Sequence, residues 1–209
     1  MTGREQVSRS RTTLGLTLGA VTSRPRIVPY SQQWPAAFEA TARKIRAALG
    51  PAALRIDHIG STAVPGLAAK NVIDIQVAVA DLSDADPLGA AGFRAYDEAF
   101  TDHRPPRDDS PDSEWAKRLF GEPPDERRAN IHVRVLGAAN QRYALLFRDY
   151  LRAHPATADA YAELKRRLAQ HMPDTLTYAD VKDPAVDLIA LAAEDWAVAN
   201  GWEPGPSDA

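Results

Sequence analysis

The 209 residues of the chain fit one large domain, and a hydrophobic fraction of 44% is enough to fill one substantial core. The 25 basic and 28 acidic residues give a formal charge of -3, so no global basic field indicates nucleic-acid binding, and any polyanion site must be local. The lack of cysteine excludes disulfides, thiolate metal sites and a cysteine nucleophile.

The first 24 residues predict a disordered leader. Basic residues lie within 4–11, and the apolar stretch at 14–21, which two glycines interrupt, is barely long enough for a secretory signal. Arg9 and Arg11 are not adjacent, which argues against a twin-arginine signal. No stretch of the chain approaches the roughly 18 to 20 apolar residues of a membrane-spanning helix. We therefore expect a cytoplasmic protein with no membrane partner.

The next part of the chain is predicted to alternate between strands and helices, with glycine and proline at the boundaries. The expected elements are a strand at 27–30, a helix at 34–49, strands at 54–59 and 72–79 around a loop at 60–70, a helix at 82–91, further sheet at 92–95 and a mobile surface loop at 101–113. These elements predict a sheet that has helices packed against it.

Polar side chains occupy one side of two predicted strands. The strand at 72–79 carries Asp74 and Gln76 on the side opposite its aliphatic residues. A later strand, 130–136, repeats this alternation with His132 and Arg134. One face of the sheet is therefore predicted to be core, and the other face is a candidate site.

The last third of the chain is predicted to be helical. An amphipathic stripe at 143–151 ends at His154-Pro155, and a second stripe follows at 161–168, so these two helices should form a hairpin. Together with the strands, they predict a single α+β (α/β) domain at 25–202. Its mixed β-sheet packs against helices, and its C-terminal segment is helical.

A final helix presents apolar residues over 186–197. Its start is open between two N-caps: Thr177 with an acidic residue three positions on, or Asp183 with Pro184 in the first turn. The residues at 203–209 are expected to form a frayed tail.

The candidate chemistry concentrates between the two central strands. Gly60 lets backbone N–H groups approach phosphate oxygens, and the hydroxyls of Ser61 and Thr62 add donors. Lys70 can neutralise a phosphate, and Asp74 can hold a magnesium ion that bridges phosphate oxygens. A Gly-Ser-Thr tripeptide by itself is also compatible with an ordinary structural turn.

The longer segment 58–75 closely resembles the signature of the GrpB family. The likeness continues at 28–30, 131–133 and 147–152, and it covers about residues 26–200 in the right order. The resemblance implies the nucleotidyltransferase fold, in which a glycine-serine turn binds a nucleoside triphosphate and carboxylates on adjacent strands hold two metal ions. Members of this family also occur fused behind dephospho-CoA kinase in some bacteria.

Two classes of function follow from this resemblance. The first is an enzyme that transfers a nucleotidyl group from a nucleoside triphosphate to a small-molecule acceptor, including adenylation of a carboxylate for ligation. Ser61 and Thr62 would then hold phosphates, and Asp74 would hold Mg²⁺. The alternative is a non-catalytic module that binds a nucleotide or CoA.

The carboxylate count bears on the choice between these classes. Catalytic nucleotidyltransferases usually carry a second acid two residues after the first, and here Gln76 takes that position, which favours the binding module. The presence of Asp74 and Lys70 beside the loop favours the enzyme. Asp74 and Gln76 are nevertheless the predicted metal ligands. Asp57, Asp97 or Glu98 could supply a missing ligand, although Asp57 is expected to face away from His58. These assignments leave the second metal open.

Basic residues offer a metal-free alternative. Lys70, Arg134 and Arg148 could neutralise phosphates directly, and the resemblance also points to Lys182. Charges on the later helices, among them Lys165, are also consistent with an ordinary solvated face.

Two histidines are candidate catalytic residues beside Asp74. His58 and His132 lie on strands next to the inferred phosphate loop, so either could act as a general base if it points into the same cleft. Each is equally compatible with a buried, hydrogen-bonded position in the core.

Overall fold

The computed structural model describes residues 24–96 and 100–209. The predicted leader, apart from Arg24, lies outside the described residues, and so do Asp97 and Glu98, two of the candidate metal ligands. No helix within the two described ranges is long and apolar enough to cross a membrane.

A mixed sheet of six strands lies at the centre of the described residues. Its strands are β1 (Arg55–Ile59), β2 (Ile73–Val79), β3 (Arg94–Ala95), β4 (Phe100–Thr101), β5 (Ala116–Gly121) and β6 (Ala129–Val135). The order is β1-β2-β6-β5-β3, and β4 also pairs with β5. Strands β2 and β6 run parallel, whereas the other pairs are antiparallel. The three strands predicted to carry the site are therefore adjacent, and the predicted mixed sheet is confirmed.

Within the described residues, five α-helices accompany the sheet. They are α1 (Gln33–Leu49), α2 (Pro87–Ala90), α3 (Ala139–Ala153), α4 (Pro155–His171) and α5 (Thr175–Asn200). Four short 3-10 turns lie at Gly50–Ala52, Ser61–Ala63, Leu82–Ala85 and Asp112–Trp115. Helices α3, α4 and α5 form the predicted C-terminal helical segment.

The apolar face of the sheet packs against α1. Trp34, Phe38 and Ile45 recur at helical spacing and are buried, and Gly50, with a φ of 54°, ends the helix. Their partners on the strands include Ile56, Ile75, Val77, Ile131 and Val133. Burying each such large apolar side chain contributes about 1.5 to 3 kcal/mol relative to exposure. This packing fixes which face of the sheet is core.

The opposite face of the sheet is polar and lies beneath the C-terminal helices. The parallel register sets Asp74 beside Asn130 and Gln76 beside His132. Because side chains alternate along a strand, these four side chains share the face opposite the α1 core. A second apolar cluster holds α3, α4 and α5 to the loop between β1 and β2; it includes Leu67, Leu146, Leu151, Tyr161, Ala193 and Ala197. The helices therefore cover a polar sheet surface.

Some local predictions differ from the structure. β5 was not predicted, because its first four residues are polar or only half-buried and show no clean alternation. The predicted strand at 27–30 contributes a single β-bridge, between Val28 and Ala69. The predicted helix at 82–91 is a 3-10 turn followed by the four-residue α2.

Helix α5 begins earlier than either predicted cap. Asp174 is the N-cap, and its carboxylate accepts a hydrogen bond from the Thr177 amide at 2.8 Å. Pro184 lies inside the helix, where its missing N–H removes one backbone hydrogen bond. The sequence signals at Thr177 and Asp183 are therefore internal positions of one long helix.

The segment predicted as a mobile loop, 101–113, is anchored by polar contacts. Asp102 forms an ion pair with Arg134: Arg134 Nε lies 2.8 Å from Asp102 Oδ2. At the other end, the Trp115 indole donates hydrogen bonds to Asp108 and Ser110. Asp102 thus belongs to the polar face of the sheet rather than to the solvent.

The tail at 203–209 lies along the free edge of β1. Ser207 Oγ accepts a hydrogen bond from Ile56 N at 2.9 Å and donates one to Ile56 O at 3.0 Å. Asp208 accepts a hydrogen bond from His58 N at 2.9 Å. The expectation of a frayed tail is wrong, because an edge strand offers unpaired backbone groups that these polar residues satisfy.

Candidate functional site

A cavity of about 320 Å³ lies where the polar face of the sheet meets α3, α4 and α5. The turn at 60–62 and the first residues of β2 and β6 form one side, and the helices form the other. The side chains that give it its chemistry are Ser61, Lys70, Asp74, His132, Lys165 and Lys182. A cavity of this size is at the small end of the range for ligand sites in proteins.

The turn at 60–62 brings main-chain amides to this cavity. Gly60 has φ 66° and ψ -168°, a conformation that is essentially confined to glycine. The amides of Ala63 and Val64 donate to the carbonyl oxygens of Gly60 and Ser61. Among the turn and loop hydrogen bonds of the described residues, none is donated by the amides of Ser61 or Thr62. Two such N–H groups at one turn can bind an anion.

Asp74 is the acidic residue of the site. Among the described residues that line the cavity, no other carries a carboxylate. Its Oδ1 accepts a hydrogen bond from Asn130 Nδ2 at 2.8 Å and lies 3.9 Å from His132 Nε2. Burial by itself raises the pKa of Asp74, but His132, Asn130 and Lys70 outweigh burial and hold that pKa below its usual value. The carboxylate is therefore ionised at neutral pH.

Three lysine side chains converge on the same cavity. Lys165 of α4 donates a hydrogen bond to Ser61 Oγ at 2.8 Å, and Lys70 and Lys182 also line the cavity. Burial lowers the pKa of all three, that of Lys165 to about 7. Repulsion from Lys182 lowers the pKa of Lys70 and Lys165 further, whereas Asp74 raises it. A bound polyanion would relieve this repulsion.

Part of the site was not predicted from the sequence. Asn130 was not singled out, although its spacing of two from His132 puts both side chains on one face of β6. Lys165 was grouped with solvated helix charges, yet it is only 3% exposed because α4 packs onto the turn. Tyr143 and Tyr161, the first residues of the two predicted amphipathic stripes, also line the cavity.

His58, a predicted catalytic residue, faces away from the cavity. It pairs with Ile75 in the register of β1 and β2, so its ring lies on the apolar side and stacks on Phe38 with 4.9 Å between ring centres. Its Nε2 is hydrogen-bonded to Thr62 Oγ1 at 2.9 Å. Burial lowers the pKa of His58 to about 4, so it is neutral at pH 7. Its catalytic assignment is therefore corrected: the alternation of side chains along β1 makes it a support behind the turn.

Gln76 and Arg134, predicted to bind metal and phosphate respectively, are bonded to each other beneath α3. Arg134 Nη1 donates to Gln76 Oε1 at 2.6 Å, and its Nε donates to Asp102. Gln76 Nε2 donates to the carbonyl oxygen of Gln141 at 3.2 Å. Both side chains are buried away from the cavity, and their partners satisfy them within the protein. The two assignments are corrected on this ground.

Arg148, also predicted to bind phosphate, ties α3 to the edge of the sheet. Its Nη1 donates to His58 O at 3.1 Å and to Asp208 at 2.8 Å, and its Nε donates to Asp149 at 2.7 Å. It is only 3% exposed and does not line the cavity. Of the predicted basic residues, the structure therefore brings Lys70 and Lys182, but not Arg148, to the cavity.

The donor set of the cavity does not fit a pair of magnesium ions. Within the two described ranges, no group of three or more His, Asp or Glu could hold a metal ion. Asp74 offers one carboxylate, Gln76 is held by Arg134, and Asp57 is paired with Arg55 at 2.8 Å. Magnesium favours several oxygen ligands, and nearby ammonium groups repel a dication. Magnesium stays a prediction from the resemblance.

Residues 24–191 of the chain match the family model described as GrpB protein. A dephospho-CoA kinase of Mycolicibacterium paratuberculosis is 38% identical over 196 residues, which cover 86% of this chain and 48% of that protein. A UPF0157 protein of Halalkalibacterium halodurans is 36% identical over 172 residues, covering 80% of this chain and 81% of that protein.

A solved structure shares the fold. The crystal structure of conserved protein GrpB from Enterococcus faecalis aligns with a TM-score of 0.65 and 29% identity, covering 82% of this chain and 99% of that one. The chain spans about half the length of the dephospho-CoA kinases that it matches. The match to the family model covers most of the chain. This protein belongs to the GrpB family.

Proposed function

We propose that the cavity binds the phosphate groups of a nucleotide, and that lysine side chains rather than a metal pair neutralise them. The observation that carries the proposal is that Lys70, Lys165 and Lys182 line one cavity with the turn at 60–62, where Asp74 is the single carboxylate among the described lining residues. Gathering three ammonium groups at one cavity, with the Lys165 side chain only 3% exposed, is unfavourable unless an anion joins them. A phosphate chain supplies such an anion.

The proposed binding mode uses each side of the cavity. The amides of the 60–62 turn would bind one phosphate, as free N–H groups at such turns do. Lys165 would exchange its contact with Ser61 for a phosphate oxygen, and Lys70 and Lys182 would bind the rest of the chain. Tyr143 and Phe147 offer aromatic surface for a planar base.

The first prediction concerns the lysine cluster. Replacing Lys182 with methionine is expected to weaken binding of a nucleoside triphosphate by about 10- to 100-fold, because it removes one charged hydrogen bond from a buried site. Affinity would be measured by titration calorimetry without magnesium, using ATP, GTP, CTP, UTP, CoA and tripolyphosphate. The same panel in a thermal-shift assay shows which ligand stabilises the folded protein.

The matched control is Lys44→Met, which removes a lysine of α1 from an exposed ion pair with Glu126. Lys44→Met should leave every affinity unchanged. Strong binding of tripolyphosphate alone would show that only the phosphates are recognised, and tighter binding of CoA would favour the CoA module. If no phosphorylated ligand in the panel binds, the proposed function fails.

Nucleotidyl transfer is the second candidate function. The observation that favours it is the ionised Asp74 carboxylate, which lies in the cavity beside His132 and could accept a proton from an acceptor. The family resemblance implies a small-molecule acceptor, which would bind next to the triphosphate. This candidate requires turnover, which is measured by release of pyrophosphate from each triphosphate.

Asp74→Asn separates the two candidates, because asparagine keeps the shape and removes the charge. With metal-free binding, affinity should be unchanged or rise a few-fold, since a carboxylate that repels phosphates is removed. With magnesium-dependent transfer, the variant should lose both magnesium-dependent binding and turnover. Calorimetry with and without magnesium measures the nucleotide affinity, and release of pyrophosphate measures turnover. Asp195→Asn, at a carboxylate 80% exposed on α5, is the control.

A further inference from the structure

A buried row of charged side chains lies behind the cavity on the polar face of the sheet. Asp102, after β4, contacts Lys117 Nζ and Arg134 Nε and accepts a hydrogen bond from Asn140 at 3.1 Å. Lys117, on β5, in turn lies 3.4 Å from His132 Nδ1. The far nitrogen of the same imidazole, Nε2, lies 3.9 Å from Asp74 Oδ1, and both residues line the cavity.

The hydrogen-bonding capacity of lysine determines the direction of this contact. Lys117 Nζ contacts the Asp102 carboxylate in an ion pair, which favours the ammonium form and opposes the lowering of the Lys117 pKa by burial. An ammonium group has three donors and no acceptor, so it can only donate to His132. A neutral imidazole that accepts a hydrogen bond at Nδ1 carries its proton on Nε2.

We infer that Lys117, held by Asp102, is a positioning residue that fixes His132 as an Nε2–H hydrogen-bond donor to the cavity. His132 then presents a donor beside the acceptor oxygens of Asp74. Such a donor and acceptor pair fits a ligand group that both gives and takes a hydrogen bond, such as a hydroxyl. Asp74, rather than His132, is the group left to accept a proton from that hydroxyl.

The inference about the His132 tautomer does not depend on the proposed function. The contact between His132 and a ligand does rest on the proposed function. The row also explains why polar residues with no place in the cavity are buried together. Asp102, Lys117 and Arg134 each lose water, and paired charges on the same sheet face compensate for that loss. His132 contacts Lys117 and also lines the cavity, so it connects this row to the cavity.

The experiment is nitrogen NMR of protein labelled at histidine, which reports directly which ring nitrogen carries the proton. The chain has 5 histidines, so His132→Gln identifies the signal of His132 by its loss. In the unmodified chain at neutral pH, the Nε2–H form is expected to exceed the Nδ1–H form by about tenfold, since a charged donor faces Nδ1. Lys117→Met should produce a measurable Nδ1–H population, and Lys44→Met should not.

The spectrum of the unmodified chain decides the inference even if Lys117→Met fails to fold. An Nδ1–H tautomer or a protonated ring at neutral pH would overturn it. So would a folded Lys117→Met protein whose His132 spectrum is unchanged. Asp102→Asn, which keeps Lys117 and removes its anionic partner, should weaken the preference in the same direction. A ligand that binds without shifting the His132 Nε2 signal would refute the ligand contact and leave the nucleotide-binding proposal standing.

Discussion

Replacing Gly60 with alanine is expected to reduce nucleotide affinity by more than about tenfold and to lower the free energy of unfolding by about 1 to 3 kcal/mol. A Cβ atom at this position would lie 2.6 Å from Asp74 Oδ2 and 3.1 Å from Asp74 Cβ. The backbone of Gly60, with φ 66°, is also one that alanine rarely adopts. Either the turn or Asp74 must move, and the free amides then leave the phosphate position.

Gly89→Ala is the matched control for this variant. It makes the same chemical change in α2, where an added Cβ would meet no atom within 4 Å. Urea denaturation and calorimetry of both variants separate stability from binding. If Gly60→Ala binds a triphosphate as tightly as the unmodified chain, the turn does not hold phosphate.

Nucleotide binding is expected to weaken by about tenfold or more between about pH 7 and about pH 9, because Lys165 must be protonated to bind phosphate. Its pKa in the free protein is about 7, lowered by burial, by Lys182 and by other basic neighbours, against the attraction of Asp74. A bound phosphate raises that pKa. The contribution of Lys165 to affinity is therefore complete below about pH 7 and is lost as the pH rises through the pKa of the complex.

Calorimetry in two buffers with different ionisation enthalpies checks this directly. Near pH 8 the binding of a triphosphate should take up protons, up to about one per ligand. Lys165→Met should bind more weakly at pH 7, with a flatter dependence on pH, and Lys44→Met should match the unmodified chain. An affinity that does not change with pH, with no proton uptake, would remove Lys165 from the binding site.

The sequence predicted the parts of the fold that depend on local pattern. Apolar residues alternate along β2 and β6, so the apolar face of each strand and the position of Asp74 on the opposite face could be inferred before the structure. Helical spacing likewise identified α1, α3 and α4. β5 was not predicted, because most of its residues are half-buried and its sequence shows no clear alternation of apolar and polar residues.

Part of the site was predictable in the same way. Gly60, Ser61 and Thr62 stood out by composition, and the structure sets them at the cavity with Lys70 and Asp74. His132 was also expected there, from its alternation with the aliphatic residues of its strand.

Which polar residues face the cavity, however, was decided only by the tertiary structure. The direction of His58 depends on the register of β1 against β2, and the burial of Arg134 and Arg148 depends on partners 32 and 60 residues away, Asp102 and Asp208. Lys165 reaches Ser61 across 104 residues of sequence, because α4 folds back onto the turn. Sequence periodicity therefore determined the strands and their two faces, while long-range packing determined which charges are paired inside the protein and which remain available to a ligand.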